Sequence, residues 1–281
     1  MDLCDMNQIK TLLNRHGFHF SKSLGQNFLI ESWVPRDIAE ASGAGKTNGV
    51  LEIGPGIGPL TVELSRRAGK VTAVELDKAL LPILAETLAD CPNVTIIPGD
   101  VMKLDLSALV AEQFPDLTPM VCANLPYNIT TPVLTLLLES GLFSAITVMI
   151  QKEVAQRICA GPGSKDYGAF SVLCQYYAKC ELLFEVPKEC FLPAPKVTSA
   201  VVKLTVQSPP SCVHDKDFFF RVVRGAFSLR RKTLLNALAS SFPLGKDSLA
   251  QCISAAGLTP DIRGERLSIP QFAALAKALA V

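Results

Sequence analysis

A doubly wound α/β sheet followed by a small all-helical domain is the fold class this 281-residue sequence predicts. Three observations predict it. Five short apolar runs alternate with longer amphipathic stretches between Val50 and Ile150, a glycine-rich loop directly follows the first run, and four stretches beyond Ser208 all carry helical spacing.

Taken in order, "VLEI" (50–53), "VTAVEL" (71–76), "VTIIPG" (94–99), "MVCANL" (120–125) and "ITVMI" (146–150) are too apolar to alternate, as expected of parallel strands buried on both faces. Between them "LTVELSRRAG", "KALLPILAETLAD" and "TPVLTLLLES" have apolar residues at helical spacing. "CELLFEV" and "SAVVKLTV", either side of the Pro-rich "PKECFLPAPKV", predict a closing antiparallel pair. After the linker "VQSPPSC" (206–212), "DFFFRVVRGAF", "LRRKTLLNALASSF", "KDSLAQCISAAGL" and "IPQFAALAKALA" predict helices. The expected domains are therefore 1–207 and 208–281.

Composition narrows the function classes. With 49% hydrophobic and 19% charged residues the chain can bury a sizeable core. The start, "MDLCDMNQIKTLLNRHGF", has no secretory apolar region, and no stretch is long enough to span a bilayer, so a cytoplasmic protein with no membrane partner is expected. None of the nine cysteines forms a C-x-x-C pair, and the three histidines lack a third ligand nearby. Reduced cysteines and no metal follow. The net charge of +1 is segregated: 17 basic against 21 acidic residues through Gln207, and 10 against 5 from Ser208 onward, so the tail is the basic part.

The first candidate site is "LEIGPGIGPL", which sets Gly54, Gly56 and Gly58 directly after a strand, where backbone turns sharply and lies against a ligand. Pro59 stands where a dinucleotide fingerprint would need its third glycine. Glu75 ends the second strand 21 residues beyond Gly54, where a carboxylate can hold both ribose hydroxyls. Asp100 ends the third, placed to accept from an adenine amine while Val101 packs on the ring. Glycine, acid, acid at successive strand ends describes an adenosine-bearing ligand, and both NAD and S-adenosylmethionine fit.

"NLPYNITTP" (124–132), at the end of the fourth strand, decides between them. An adenine amine is a poor nucleophile because its lone pair is delocalised into the ring. The Asn124 side-chain carbonyl and the Leu125 main-chain carbonyl, held by Pro126, can accept the two amine hydrogens and leave the lone pair facing a methyl sulfonium. Tyr127 offers a stacking plane for an extruded base. Prolines in "CFLPAPKV" are expected to present Phe191 on a stiff loop, closing the other face. A DNA adenine methyltransferase shares this Asn-Pro-Tyr logic, and an NAD oxidoreductase is disfavoured by Pro59 and "NLPY".

On these residues the chain resembles the KsgA family of ribosomal RNA adenine dimethyltransferases, from about Ser21 to Lys277. The motifs that carry the resemblance are "SKSLGQNFL" (21–29), "LEIGPGIGPLT" (51–61), "VELD" (74–77), "GDV" (99–101), "NLPYNITTP", "QKEVAQRI" (151–158), "FLPAPKVTSAVVKL" (191–204) and "RRKTLLNAL" (230–238). Ala169 departs from it, standing where many members carry Arg. The resemblance implies a Rossmann-like S-adenosylmethionine-dependent fold, with Asn27 and Leu29 joining Gly54, Glu75, Asp100 and Asn124 around the cofactor. It implies as substrate two adjacent adenosines in a hairpin near the 3′ end of small-subunit (16S) rRNA, each dimethylated within a pre-30S particle. A related branch, the macrolide-resistance methylases, acts on large-subunit (23S) rRNA, and the combination of "NLPYNITTP", "PKVTSAVVKL" and "RRKTLLNAL" fits the small-subunit branch better. A ribosome-assembly factor acting mainly by binding is the alternative from another class.

Arg221 and Arg224 lie three apart on one predicted helix, and Arg230, Arg231 and Lys232 follow without an intervening acid. Phosphate contacts by this cluster would give salt-sensitive affinity for rRNA. No segment suggests an extra interface, and a monomer is expected.

Overall fold

A computed structural model describes residues 1–21 and 25–280. Lys22, Ser23 and Leu24, inside the "SKSLGQNFL" motif, lie outside the described residues. The chain forms two units, Met1–Ala155 with Lys179–Val206, and Gln156–Ala178 with Gln207–Val281.

In the first unit the elements run α1 (Met6–Arg15), β1 (Phe28–Leu29), α2 (Trp33–Ser42), β2 (Asn48–Ile53), α3 (Pro59–Arg67), β3 (Lys70–Glu75), α4 (Leu81–Thr87), β4 (Val94–Pro98), α5 (Leu106–Gln113), β5 (Thr118–Asn124), α6 (Thr130–Ser140) and β6 (Ala145–Gln151). After α7 (Lys152–Cys159) and α8 (Ala169–Tyr177) come β7 (Ala178–Val186), β8 (Phe191–Leu192) and β9 (Ser199–Val206). The seven-stranded sheet has the order β4-β3-β2-β5-β6-β9-β7. β4, β3, β2, β5 and β6 are mutually parallel, and β9 runs antiparallel to β6, pairing Ser199 with Gln151. β1 and β8 form a separate antiparallel pair, with Phe28 opposite Leu192 and Leu29 opposite Phe191.

Every expected strand is present; β2, β3, β5, β6 and β9 are buried along most of their length because helices cover both faces, whereas the edge strands differ, β4 being half-buried and β7 mostly exposed. One core cluster joins Val50, Leu64, Val71, Cys122, Met149 and Val201 to Leu29 and Phe191. A second joins Ile9, Leu12 and Leu13 of α1 to Phe28, Ile57 and Leu80. Sequence order reverses between β2 and β5: from β2 the chain builds outward through β3 to β4, and from β5 the other way to β6. Such a switch point opens a crevice at the carboxyl ends of the strands.

The second unit holds α9 (Lys216–Phe227), α10 (Leu234–Ala239), α11 (Lys246–Ala255) and α12 (Ile269–Leu279). Residues 156–178, expected with the sheet, group with these helices. The reason is aromatic packing: the Tyr176 ring lies 5.6 Å from that of Phe219 and 5.0 Å from that of Phe220, and the Tyr167 hydroxyl donates to the Leu267 carbonyl at 3.0 Å. The helix expected over 229–242 is shorter. Lys232 N–H turns back to the Leu229 carbonyl, and the Thr233 side chain caps the helix that starts at Leu234. The basic run 230–232 therefore lies on a turn.

Among the described residues no helix is long and apolar enough to cross a membrane. No group of three His, Cys, Asp or Glu side chains among them is placed to hold a metal ion. No disulfide joins any of the nine cysteines, all of which are among the described residues.

Candidate active site

One cleft of about 1100 Å³, including its open mouth, collects residues from the ends of β2, β3, β4 and β5. Its lining includes Asn27, Leu29, Gly54, Gly56, Glu75, Asp100, Asn124, Leu125, Pro126 and Tyr127. These residues, scattered over a hundred positions of sequence, meet because parallel strands end on one side of the sheet.

The glycine loop supplies the floor. Gly54 (φ +69°) and Gly56 (φ +63°) both adopt the left-handed conformation, and a Cβ on Gly56 would come within 3.3 Å of the Phe28 ring. Pro59 has its own reason: it is the first residue of α3, where a missing N–H costs nothing and a fixed φ suits the helix.

The Glu75 side chain is buried, and its Oε1 accepts from the Asp77 N–H at 2.7 Å while Oε2 is 3.4 Å from the Gly56 N–H. Burial raises its pKa above the ordinary carboxylate range, and these N–H groups pull back against that. One carboxylate thus links the second strand end to the glycine loop. Asp100 Oδ1 accepts from the Met102 N–H at 3.0 Å and caps the short 3-10 turn Val101–Lys103, while Oδ2 lies 3.7 Å from Lys103 Nζ. Val101, directly after it, is buried and lines the cleft.

Asn124 is the last residue of β5, across the switch point from Gly54. The next turn is held at both ends: the Leu125 N–H donates to the Met149 carbonyl at 3.1 Å, and the Pro126 carbonyl accepts from the Ile129 N–H at 3.2 Å. No donor among the described residues takes up the Leu125 carbonyl. The Tyr127 hydroxyl is 2.6 Å from the Ser199 Oγ. Burial raises the Tyr127 pKa, so the phenol keeps its proton.

Phe191 differs from expectation. It is 3% exposed, packs in the core with Leu29 and does not line the cleft. The register of β1 against β8 places it opposite Leu29, and that pairing outweighs the loop character of the flanking prolines. In the second unit Arg221, Arg224, Arg231 and Lys232 are exposed, with Arg221 standing 5.0 Å over the Phe242 ring. Arg230 is committed otherwise: its guanidinium donates to the Lys165 and Tyr167 carbonyls and pairs with Glu265 at 3.5 Å.

Sequence reasoning missed Gln26, Glu52 and Leu76, all of which line the cleft. Glu52 had a signal, a carboxylate inside a run otherwise wholly apolar. It is 1% exposed, its Oε2 has no partner among the described residues, and burial pushes its pKa up to about 8. Leu76 and Gln26 carry no signal of their own in a single sequence.

A family model described as ribosomal RNA adenine dimethylase matches residues 17–280. Ribosomal RNA small subunit methyltransferase A of Geobacillus thermodenitrificans is 49% identical over 99% of this chain and 97% of that protein. Its counterpart in Anoxybacillus flavithermus is 47% identical over 99% and 96%. Among solved structures, a dimethyladenosine transferase from Plasmodium falciparum superposes with a TM-score of 0.73 at 26% identity, covering 88% of this chain and 95% of that one. The 23S rRNA methyltransferase ErmE has the same fold, with a TM-score of 0.69 at 24% identity over 91% and 100%.

Proposed function

The chain belongs to the ribosomal RNA adenine dimethylase family, and from that premise we propose that its cleft holds S-adenosylmethionine beside one extruded adenosine of small-subunit rRNA. The observation that carries this reading is the position of Asn124: it ends β5, across the switch point from Gly54, in the same cleft as Glu75 and Asp100. The cleft fits the cofactor. Left-handed glycines leave a wall without side chains, and carboxylates stand at the ends of the next two strands.

Gly54 and Gly56 present backbone to the cofactor's methionine part, Glu75 takes the ribose hydroxyls and Asp100 the adenine amine, with Asn27 and Leu29 completing the pocket. When bound, the cofactor supplies an electrophilic methyl group on a sulfonium. The chain's work is orientation. Asn124 Oδ1 and the Leu125 carbonyl accept the two hydrogens of the target amine, turning the nitrogen lone pair toward the methyl carbon. Once methylated, the amine would be cationic and would lose its proton to water, so the chain's own residues need only hold and orient it. No strong base is needed, which agrees with a Tyr127 phenol that stays protonated.

Tyr127 stacks on the base. Phe191 would have to leave its packing against Leu29 to close the other face. Residues 1–207 carry the chemistry, and the basic residues 208–281 contact rRNA phosphates through Arg221, Arg224, Arg231 and Lys232, while Arg230 braces the turn that bears the last two. The enzyme works as a monomer in the cytoplasm on the pre-30S particle, where it dimethylates two adjacent adenosines of a 3′-terminal hairpin.

Incubation with labelled S-adenosylmethionine and undermethylated small subunits, followed by mapping of the product nucleosides, tests this. Dimethyladenosine at two adjacent positions is expected. Label confined to large subunits or to duplex DNA would overturn it.

A further inference from the structure

The loop 25–29 crosses from one end of the cleft to the other. A Cβ on Gly25 would stand 3.4 Å from Asn128 Oδ1 and 3.8 Å from the Pro126 Cβ, so its backbone lies against the turn after β5. One residue on, the Gln26 Nε2 donates to Asp77 Oδ2 at 2.7 Å, two residues past the end of β3. The Gln26 Oε1 accepts from the Ser21 N–H at 2.8 Å. A backbone N–H can only donate and a carboxylate only accept, so the amide's orientation is unambiguous.

Asp77 is itself fully engaged. Its N–H donates to Glu75 Oε1 at 2.7 Å and its Oδ1 accepts from the Ala79 N–H at 3.0 Å. A continuous chain of hydrogen bonds therefore runs from Ser21 through Gln26 and Asp77 to Glu75. Immediately beyond Gln26 lie Asn27, whose Nδ2 donates to the Gly25 carbonyl at 3.0 Å, and β1, which lies antiparallel to β8.

We propose that Gln26 is a positioning residue for cofactor binding: its bond to Asp77 pins the 25–29 loop across the cleft, setting Asn27 and Leu29 at the pocket and fixing the Glu75 carboxylate through Asp77. Each polar end of its amide bonds the protein, Oε1 to Ser21 and Nε2 to Asp77, as a residue that holds the loop requires. This rests on the cofactor reading above, and the two are separable by experiment.

The test compares wild type, Gln26→Glu, Asp77→Asn and the double substitution. Each is measured for S-adenosylhomocysteine affinity by calorimetry, for KM and kcat, and for melting temperature. Gln26→Glu sets two carboxylates against each other at hydrogen-bond distance, and a loss of cofactor affinity on the order of tenfold is expected, with KM rising more than kcat falls. Asp77→Asn costs less, because the Gln26 amide can flip at the expense of the Ser21 bond. In the double substitution the new amide donates to the new carboxylate, which still accepts from Ser21 N–H, and affinity returns to within about threefold of wild type.

Wild-type affinity in Gln26→Glu, or no recovery in the double, overturns the proposal. If Gln26→Glu does not fold, Gln26→Met carries the same comparison, with a raised KM expected and an unchanged one contradicting. A wild-type protein that binds no S-adenosylhomocysteine would instead sink the cofactor reading.

Discussion

The Tyr127 hydroxyl stands 2.6 Å from the Ser199 Oγ, which ties the aromatic residue of the Asn-Leu-Pro-Tyr turn to the first residue of β9, 72 positions away. Ser199 is fully buried and paired in register with Gln151, so it is a rigid anchor. If the ring is a stacking plane for the base, this bond fixes the plane. Ser199→Ala and Tyr127→Phe should each lower kcat/KM for rRNA about tenfold while leaving cofactor affinity unchanged. Both delete the same bond, so the double substitution should lose little more than either single one. Fully additive losses in steady-state kinetics would show that the two side chains act separately.

Glu52 makes stability depend on pH in an identifiable direction. Its carboxyl is neutral in the fold up to about pH 8, whereas the ordinary value is 4.5. Between those limits the folded state holds a proton the unfolded chain has lost, so the Glu52 contribution to stability falls as pH rises, by about 1.4 kcal/mol per pH unit. Below pH 4.5 the effect vanishes. Glu52→Gln keeps the shape without the proton, and its melting temperature should fall less steeply than that of wild type between pH 5 and 8. Parallel melting curves across that range would contradict this account.

Phe191 separates packing from chemistry. As a buried neighbour of Leu29, its truncation in Phe191→Ala should destabilise the protein by about 3–5 kcal/mol in denaturant unfolding. A variant of unchanged stability that has lost turnover would return it to the base-stacking role its flanking prolines suggest.

The basic residues divide into two kinds. Replacing Arg221, Arg224, Arg231 and Lys232 by Gln should reduce the slope of log affinity for rRNA against log salt by about 3. Arg230→Gln, which removes bonds to Lys165, Tyr167 and Glu265, should leave that slope nearly unchanged and lower the melting temperature. Equal loss of slope per residue would place Arg230 on the RNA surface with the others.

The sheet was legible because burial on both faces leaves continuous apolar runs, and because glycines and acids at strand ends meet wherever parallel strands are adjacent. Gly54, Glu75, Asp100 and Asn124 reach one cleft for that reason. What stayed hidden depends on pairings remote in sequence. β1 and β8 are two residues each, too short for any periodicity, yet their register decides that Phe191 is buried. Gln26 and Asp77 are 51 residues apart, and neither residue type announces the other. Arg230 reads as one more charge in a basic run until Glu265 stands beside it. The helix that the sequence predicts over 229–242 spans only Leu234–Ala239, because the Thr233 side chain caps its start and Ser240 ends it, which apolar spacing does not reveal.

The claim on which the rest depends is that Asn124 orients the target amine. The most direct measurement is the single-turnover rate of methyl transfer to undermethylated small subunits by Asn124→Ala, at saturating S-adenosylmethionine and with subunit binding checked. A fall of about 100-fold or more with subunit binding intact is predicted. A rate within tenfold of wild type would contradict it.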